Sequence, residues 1–361
     1  MIRTVTGTTF TAFAPGRVNL IGEHTDYSGG LVLPVAIQYG ISIEVHGEAT
    51  EIALSSERSG RAAGFPGDGG DAELTGWIRY AQAVAVELDL LGRPPIGLAG
   101  TVRSDLPSGA GLSSSAALEV SVALALCTIA GFELEPFALA LACQRAELRA
   151  VGVPCGILDQ AASVLGREGE AILLDCGTLD YRLVPVPAEA ALIVVDSAIS
   201  HSHESSGYAD RRRELEHAME LVGASRSTDV DPAALDSLDP LSQRRLRHVV
   251  TENRRVLEFV AALESDDLAL AGTLMLAGHA SLRDDYEVSI PEIDLLVELA
   301  CDAGAYGARL LGGGFGGSII ALADAERADE IAAAVSDAYR VRTGNAGSAL
   351  VARASAGAAC T

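Results

Sequence analysis

Lysine is absent from this chain, and all 26 basic residues are arginine. That absence excludes a phosphate loop of the Gly-Lys-Ser type, the strand lysine of protein kinases and any Schiff-base lysine. Positive charge is also scarce relative to negative: 49 acidic residues set against 26 basic ones leave a net charge of −23. An anionic polymer or anionic membrane surface is repelled by such a chain, so neither nucleic acid nor a membrane is expected as a partner. The six cysteines include no Cys-x-x-Cys pair and read as structural thiols rather than as a zinc or redox centre. Long apolar runs are missing too, the smoothest being residues 120–130, far short of the roughly 20 needed to span a bilayer. The first residues lack the apolar run and cleavage site of a signal peptide, so a cytoplasmic location is expected.

What is present is ample apolar material: 49% of 361 residues, with 21% charged and only 4% aromatic. A globular protein of this length is expected to form two lobes. Alternating patterns predict strands at 10–13, 41–45, 96–102, 171–175 and 192–196. Helical periodicity predicts helices at 77–91, 113–130, 137–151 and 207–222. The order lacks the regular strand-helix beat of a doubly wound sheet, so the fold class is α+β. Residues 60–71, rich in Gly, Ala and Asp, read as a mobile surface loop. Two prolines in 185–190 place the change of lobe there, dividing the chain into 1–186 and 187–361. A mostly helical stretch over 207–303 then gives way to strands at 305–311 and 317–322. Arginines at 211–213, 244, 245, 247, 254 and 255, interleaved with glutamates, read as solvated helix faces.

Three segments carry chemistry. Residues 14–30, Ala-Pro-Gly-Arg-Val-Asn-Leu-Ile-Gly-Glu-His-Thr-Asp-Tyr-Ser-Gly-Gly, crowd Arg17, Asn19, Glu23, His24, Asp26 and Tyr27 onto a tight backbone, a set suited to a polyhydroxylated ligand. Metal ligation by Glu23, His24 and Asp26 lacks the usual His-Glu-x-x-His spacing. Residues 104–119, Ser-Asp-Leu-Pro-Ser-Gly-Ala-Gly-Leu-Ser-Ser-Ser-Ala-Ala-Leu-Glu, place a Gly- and Ser-rich loop at the start of an apolar helix. Unpaired N–H groups and the helix dipole there suit a phosphate; a serine cap after a flexible loop is the alternative, but a cap needs one hydroxyl and here three serines follow two glycines, so phosphate is favoured. Residues 312–317, Gly-Gly-Gly-Phe-Gly-Gly, formally satisfy a dinucleotide fingerprint. A strand rather than a helix follows them, so a tight strand-loop-strand connection is the better expectation.

Taken in this order, the three segments resemble the GHMP small-molecule kinases, with the first resembling the family's galactose-binding motif. Further matches are Gly-Val-Pro-Cys-Gly-Ile-Leu-Asp-Gln (152–160), Leu-Asp-Cys (174–176), Tyr208 before three arginines, Asp-Tyr-Glu-Val-Ser (285–289) and Gly-Ala-Arg (307–309). The resemblance implies an N-terminal lobe like domain 2 of ribosomal protein S5, a ferredoxin-like C-terminal lobe and an active site between them. It implies transfer of the γ-phosphoryl group of ATP to the anomeric hydroxyl of galactose by a monomer using Mg²⁺. On that model Asp159 is the catalytic carboxylate and Arg17 stands beside it, while Glu23, His24, Asp26, Gly156 and Tyr208 contact the sugar. Ser115 and Glu147 match the magnesium ligands. Pro107, Ser108, Gly109, Ala110, Gly111, Leu112, Ser113, Ser114, Ser115 and Ala116 match the ATP phosphate loop. Phosphoryl transfer relies on positioning and charge stabilisation, which fits a base next to a guanidinium.

Several positions depart from the family pattern. Ser28 stands where Asn is common, Leu158 where Met is, Ala161 where an aromatic is, Gly207 where Glu often precedes the tyrosine, and Ser318 where Cys is frequent. They bear on the shape of the sugar pocket and on tolerance for 2-substituted galactose. Trp77 reads equally as core or as a wall of the adenine pocket. Three alternatives remain: a kinase of the same family for galacturonate, arabinose, N-acetylgalactosamine or mevalonate, a non-catalytic sugar sensor, and a dehydrogenase using the last glycine block. The uninterrupted Ser-Ser-Ser-Ala-Ala run argues against the sensor.

Overall fold

Val35, Ile37, Ile41, Ile43 and Val45 recur at every second position or multiple of it and are all buried, the signature of a strand with one face in a core. A computed structural model describes residues 9–57, 62–71, 73–107, 109–152, 155–199 and 204–361. In it those residues lie on β3 (Pro34–Ala49), which follows β1 (Phe10–Asn19) and β2 (Leu31–Val32). Next come β4 (Glu51–Ser56), β5 (Ala62–Pro66), α1 (Ile78–Leu90), β6 (Gly97–Ser104), α2 (Ser114–Ala130), α3 (Pro136–Val151), α4 (Leu158–Leu165), β7 (Glu170–Asp175) and β8 (Tyr181–Pro185). After Val186 the chain continues through β9 (Ala190–Asp196), α5 (Glu204–Leu221), α6 (Pro240–Glu264), α7 (Leu268–Asp284), α8 (Pro291–Asp302), β10 (Gly307–Leu311), β11 (Ser318–Asp324), α9 (Ala328–Thr343), β12 (Ser348–Ala352) and β13 (Ala359–Cys360).

The first sheet has the order β13-β1-β3-β6-β4-β5, with β4 and β6 parallel and the other pairs antiparallel. Its register slips between Pro15, opposite Gly40, and Arg17, opposite Ala36, so the extra residues of the bulge lie on β3, across from the residue just before Arg17. Helix α2 is apolar on every side and almost wholly buried, as expected of a helix running through the middle of a lobe. The second sheet, β10-β11-β9-β12, is antiparallel throughout, and its order is that of a ferredoxin-like unit. Along β9, Leu192 and Val194 face one core while Ala191, Ile193 and Val195 face another. The first of these cores runs without a break from β1, β3 and α2 to Phe259 of α6 and Met275 of α7. Strand β13 returns to the first sheet, opposite Ala12 and Phe13.

Two sequence expectations are corrected. Residues 62–66 form an edge strand paired with β4 rather than part of a surface loop, while residues 58–61 lie outside the described set. The arginine runs are not uniformly solvated. Arg245 is 1% exposed, and its guanidinium donates to Glu214, to the Asp285 carbonyl and to Glu287 at 2.6 Å each. Arg211 donates to the Tyr286 carbonyl at 2.8 Å, and Arg255 to the fully buried Glu252 at 2.7 Å. Helical spacing cannot tell such inward arginines from outward ones, because a buried guanidinium with enough acceptors is tolerated.

Candidate active site

Arg17 follows the register slip between β1 and β3; its Nε donates to Asp159 Oδ1 at 2.7 Å and its Nη1 to the Gly111 carbonyl at 2.7 Å. Burial works against the arginine's charge, but Asp159, Glu23 and Asp26 raise its pKa above the ordinary value. Asp159 lies in the first turn of α4, and its Oδ2 accepts from the Ser113 hydroxyl. Ser113 is the N-terminal boundary residue of α2, yet its side chain makes no cap bond. The hydroxyl is spent on Asp159, which weakens the simple reading of a serine cap. Gly109, Gly111 and Ser113 all have positive φ (81°, 68° and 56°). Such alternation aims backbone N–H groups into a concavity, a natural anion cradle.

Two cavities meet at Arg17. The first, of about 210 Å³, is lined by Arg17, Glu23, His24, Asp26, Cys155, Gly156, Leu158, Asp159, Tyr208, Gly312 and Gly313. The second, of about 400 Å³, is lined by Arg17, Pro107, Gly109, Ala110, Gly111, Leu112, Ser113, Ser114 and Ser115, with Ile199, Gly312, Gly313 and Gly317 opposite. All the residues matched to sugar contacts thus share one chamber with Asp159, and the described phosphate-loop residues up to Ser115 line the other. Ala116 is buried in α2 behind the loop, and Ser108 lies outside the described residues. Trp77 packs, partly buried, against the first core and lines neither cavity. The glycine block 312–317 connects β10 to β11 with no helix after it, so the dinucleotide fingerprint is only formal.

The smaller chamber, the one lined by Asp159, is built on strained and polar backbone. His24 has φ 64°, and its Nδ1 is hydrogen bonded to Tyr27 Oη at 2.8 Å, which in turn bonds Tyr286 Oη at 2.8 Å. Burial, then the neighbouring His248, lowers His24 to about 3, so the ring is neutral. Its buried Nε2 makes no hydrogen bond among the described residues. Burial, then the charges of Asp159 and Glu23, pushes Asp26 up to about 7. A Cβ on Gly156 would stand 1.8 Å from Asp26 Oδ2, so only glycine lets the loop before α4 close over that carboxylate. Glu23 accepts from Asn19 Nδ2 at 3.1 Å, Gly312 N at 2.9 Å and Arg309 Nη2 at 3.3 Å.

Ser115 Oγ donates to Glu147 Oε1 at 2.8 Å. Glu147 Oε2 accepts from Gln160 Nε2 at 2.7 Å and from the Cys155 thiol at 3.3 Å. A hydroxyl and a carboxylate, with no nitrogen or thiolate ligand between them, fit a hard cation that keeps most of its coordination for water and phosphate oxygen.

Several departures from the family pattern acquire reasons. Ser318 Oγ donates to the Ala110 carbonyl at 3.0 Å, tying β11 to the phosphate loop. Ser28 Oγ donates to the Thr25 carbonyl and to Ser227 Oγ, both at 3.0 Å. Leu158 and Ala161 pack in a small core with Ile172 and Leu174. At Gly207 a Cβ would meet the Phe315 ring at 2.7 Å, so a glutamate there is incompatible with this ring position.

Sequence reasoning missed a supporting layer. Arg309 is fully buried and donates to the carbonyls of Leu20 at 2.7 Å and Asn19 at 2.5 Å as well as to Glu23. From α6, Glu252 accepts from Gly22 N at 3.0 Å and Asn253 Oδ1 from Leu31 N at 2.8 Å, while His248 Nε2 bonds the Glu23 carbonyl at 3.1 Å. The signals were the Gly-Ala-Arg match at 307–309, whose arginine was assigned no role, and the grouping of His248, Glu252 and Asn253 on one helix, which the surrounding arginines masked.

A strand presenting Arg17 to a helix-borne carboxylate, between an anion cradle and a polar chamber, in an S5-like lobe joined to a ferredoxin-like one, defines a small-molecule kinase of the GHMP class. Family models agree: residues 79–167 match the GHMP kinase N-terminal domain, 259–341 the GHMP kinase C-terminal domain, and 3–46 the galactokinase galactose-binding signature. The galactokinase of Chloroflexus aurantiacus is 42% identical over 97% of this chain and 93% of its own, and that of Thermococcus kodakarensis 41% over 91% and 93%. The crystal structure of Lactococcus lactis galactokinase complexed with galactose superposes with a TM-score of 0.92 at 33% identity, covering 98% of this chain and 95% of that one. Mevalonate kinase of Methanococcus jannaschii, at 18% identity and a TM-score of 0.71 over 98% and 100% of the two chains, shares the fold. The chain belongs to the galactokinase family.

Proposed function

We propose that this protein transfers the γ-phosphoryl group of ATP to the anomeric hydroxyl of D-galactose, giving galactose 1-phosphate and ADP in galactose catabolism. The observation that carries the reading is the Arg17–Asp159 pair, which lines the sugar-side chamber at the point where the phosphate cavity opens into it. Asp159 accepts the proton of the attacking hydroxyl, and Arg17 orients it and offsets charge on the transferred group. Glu23, His24, Asp26, Gly156 and Tyr208 form the sugar site. The backbone of the 107–116 loop and the N-terminus of α2 cradle the phosphates in place of the missing lysine. Ser115 and Glu147 would hold Mg²⁺, which would supply neutralisation of the triphosphate charge.

The division into lobes falls near Val186, between β8 and β9. The enzyme works as a cytoplasmic monomer on small molecules, without nucleic acid or membrane. No helix among the described residues is long and apolar enough to cross a membrane. The test is ADP release in a coupled assay with Mg-ATP and a panel of galactose, galacturonate, arabinose, N-acetylgalactosamine, mevalonate and glucose. Galactose as the preferred acceptor supports the reading, and no turnover of galactose overturns it.

A further inference from the structure

Gln160 follows Asp159 on the first turn of α4, but the roughly 100° step of a helix sends its side chain the other way, between α2 and α3. There its single amide nitrogen donates to two carboxyl groups, Glu147 Oε2 at 2.7 Å and Glu119 Oε2 at 3.0 Å. Gln160 and Glu119 are both 0% exposed. Burial, then the nearby Glu147, pushes Glu119 up to about 9, so it sits in the protein as a neutral acid. A neutral acid anchors the amide without adding a second negative charge next to Glu147. With Oε2 of Glu147 held by Gln160 and the Cys155 thiol, Oε1 remains on the side of Ser115.

We infer that Gln160, anchored by Glu119, is the positioning residue of the metal site: it fixes the rotation of the Glu147 carboxylate so that Oε1 faces the cation alongside Ser115. The inference rests on the assignment of Ser115 and Glu147 as metal ligands. Outer-layer partners of this kind set metal affinity by about 10- to 100-fold. One helical turn then orients both the base and the metal ligand, so a shift of α4 misplaces the two together.

Mn²⁺ is the probe, with free Mn²⁺ followed by electron paramagnetic resonance in the presence of ADP. Gln160→Met is expected to weaken Mn²⁺ binding by about 10- to 100-fold while galactose affinity measured without metal and nucleotide stays near wild type. In turnover, its half-saturating Mg²⁺ concentration rises while kcat at saturating metal is largely retained, a split that general loosening of the fold does not produce. Glu119→Gln keeps a neutral acceptor and is expected to bind Mn²⁺ as wild type does. Glu119→Leu removes the anchor, is compatible with the apolar surroundings, and is expected to lose severalfold. Wild-type Mn²⁺ affinity in Gln160→Met overturns the inference. Should that variant not fold, wild-type affinity in Glu119→Leu overturns it instead. Glu147→Gln serves as the control: if it binds Mn²⁺ normally, the metal-site assignment itself fails, a result distinct from failure of the positioning role.

Discussion

Arg17 Nε and Asp159 Oδ1 lie 2.7 Å apart, although 142 residues separate them in sequence. The two arrive from different directions, one on a strand and the other on the first turn of a helix, and both are largely shielded, with side-chain exposures of 11% and 29%. A shielded pair of this kind resists loss of one partner, since the survivor is left as an uncompensated charge. Arg17 also grips the Gly111 carbonyl and Ser113 bonds the other Asp159 oxygen, so the pair is stitched to the phosphate loop as well.

Asp159→Asn is nearly isosteric and keeps an acceptor for Arg17, but it cannot take a proton. The expected result is a fall in kcat of roughly 10²- to 10⁴-fold with galactose affinity retained. Steady-state kinetics paired with calorimetric titration of galactose checks this. A kcat near wild type removes Asp159 from the role of base.

Galactose and glucose differ only at carbon 4, and a buried carboxylate left unpaired by the wrong epimer discriminates by up to about 10⁴-fold. Asp26 is assigned that role. In Asp26→Ala, kcat/KM is expected to fall further for galactose than for glucose, so that their ratio shrinks. An unchanged ratio moves the discrimination elsewhere, with Tyr208 next to be substituted.

The same carboxylate carries a stability signature. Its pKa rises from an ordinary 3.8 to about 7 on folding, chiefly through burial and then through Asp159 and Glu23. Between those values the native protein holds a proton that the unfolded chain has released, so this group's contribution is full below pH 3.8 and is lost as pH rises through 7. Asp26→Asn is free of that loss. Its Tm advantage over wild type, measured without sugar, is expected to be small at low pH and to widen up to neutrality. A constant difference across that range contradicts the assignment.

At Gly207, restoring the glutamate common in the family is expected to destabilise this protein, because a Cβ there meets the Phe315 ring at 2.7 Å. Overpacking of this kind costs about 1–3 kcal/mol. Denaturant unfolding of Gly207→Glu measures it directly, and pairing the change with Phe315→Ala should recover part of the loss.

The segments that line the two cavities were legible in the sequence because their residue types are rare in such density: Arg17, Glu23, His24 and Asp26 between glycines, and three serines opening an apolar helix. Helices and strands were legible from periodicity, and the central helix expected at 113–130 is observed as Ser114–Ala130. What escaped were contacts between remote elements. Nothing local to Arg309 distinguishes a fully buried guanidinium, since its acceptors include main-chain carbonyls at residues 19 and 20. Gln160 escaped for a related reason: its two partners lie on other helices and meet only when α2, α3 and α4 have packed. Strand β5 was hidden by a composition of glycine, alanine and proline that favours loops, and its pairing with β4 overrides that preference.

The unbroken core from β1 through α2 to α6 and α7, reinforced by Arg309 across the lobe junction, has a thermodynamic meaning. A swing of one lobe about Val186 would have to pull Phe259 and Met275 out of shared apolar contact and strip a buried guanidinium of its acceptors. Melting is therefore expected as a single calorimetric peak, not as two successive ones, and either half produced alone should remain unfolded. Admission of substrates then falls to the short loops around the two cavities, with the body of the enzyme holding still while they come and go.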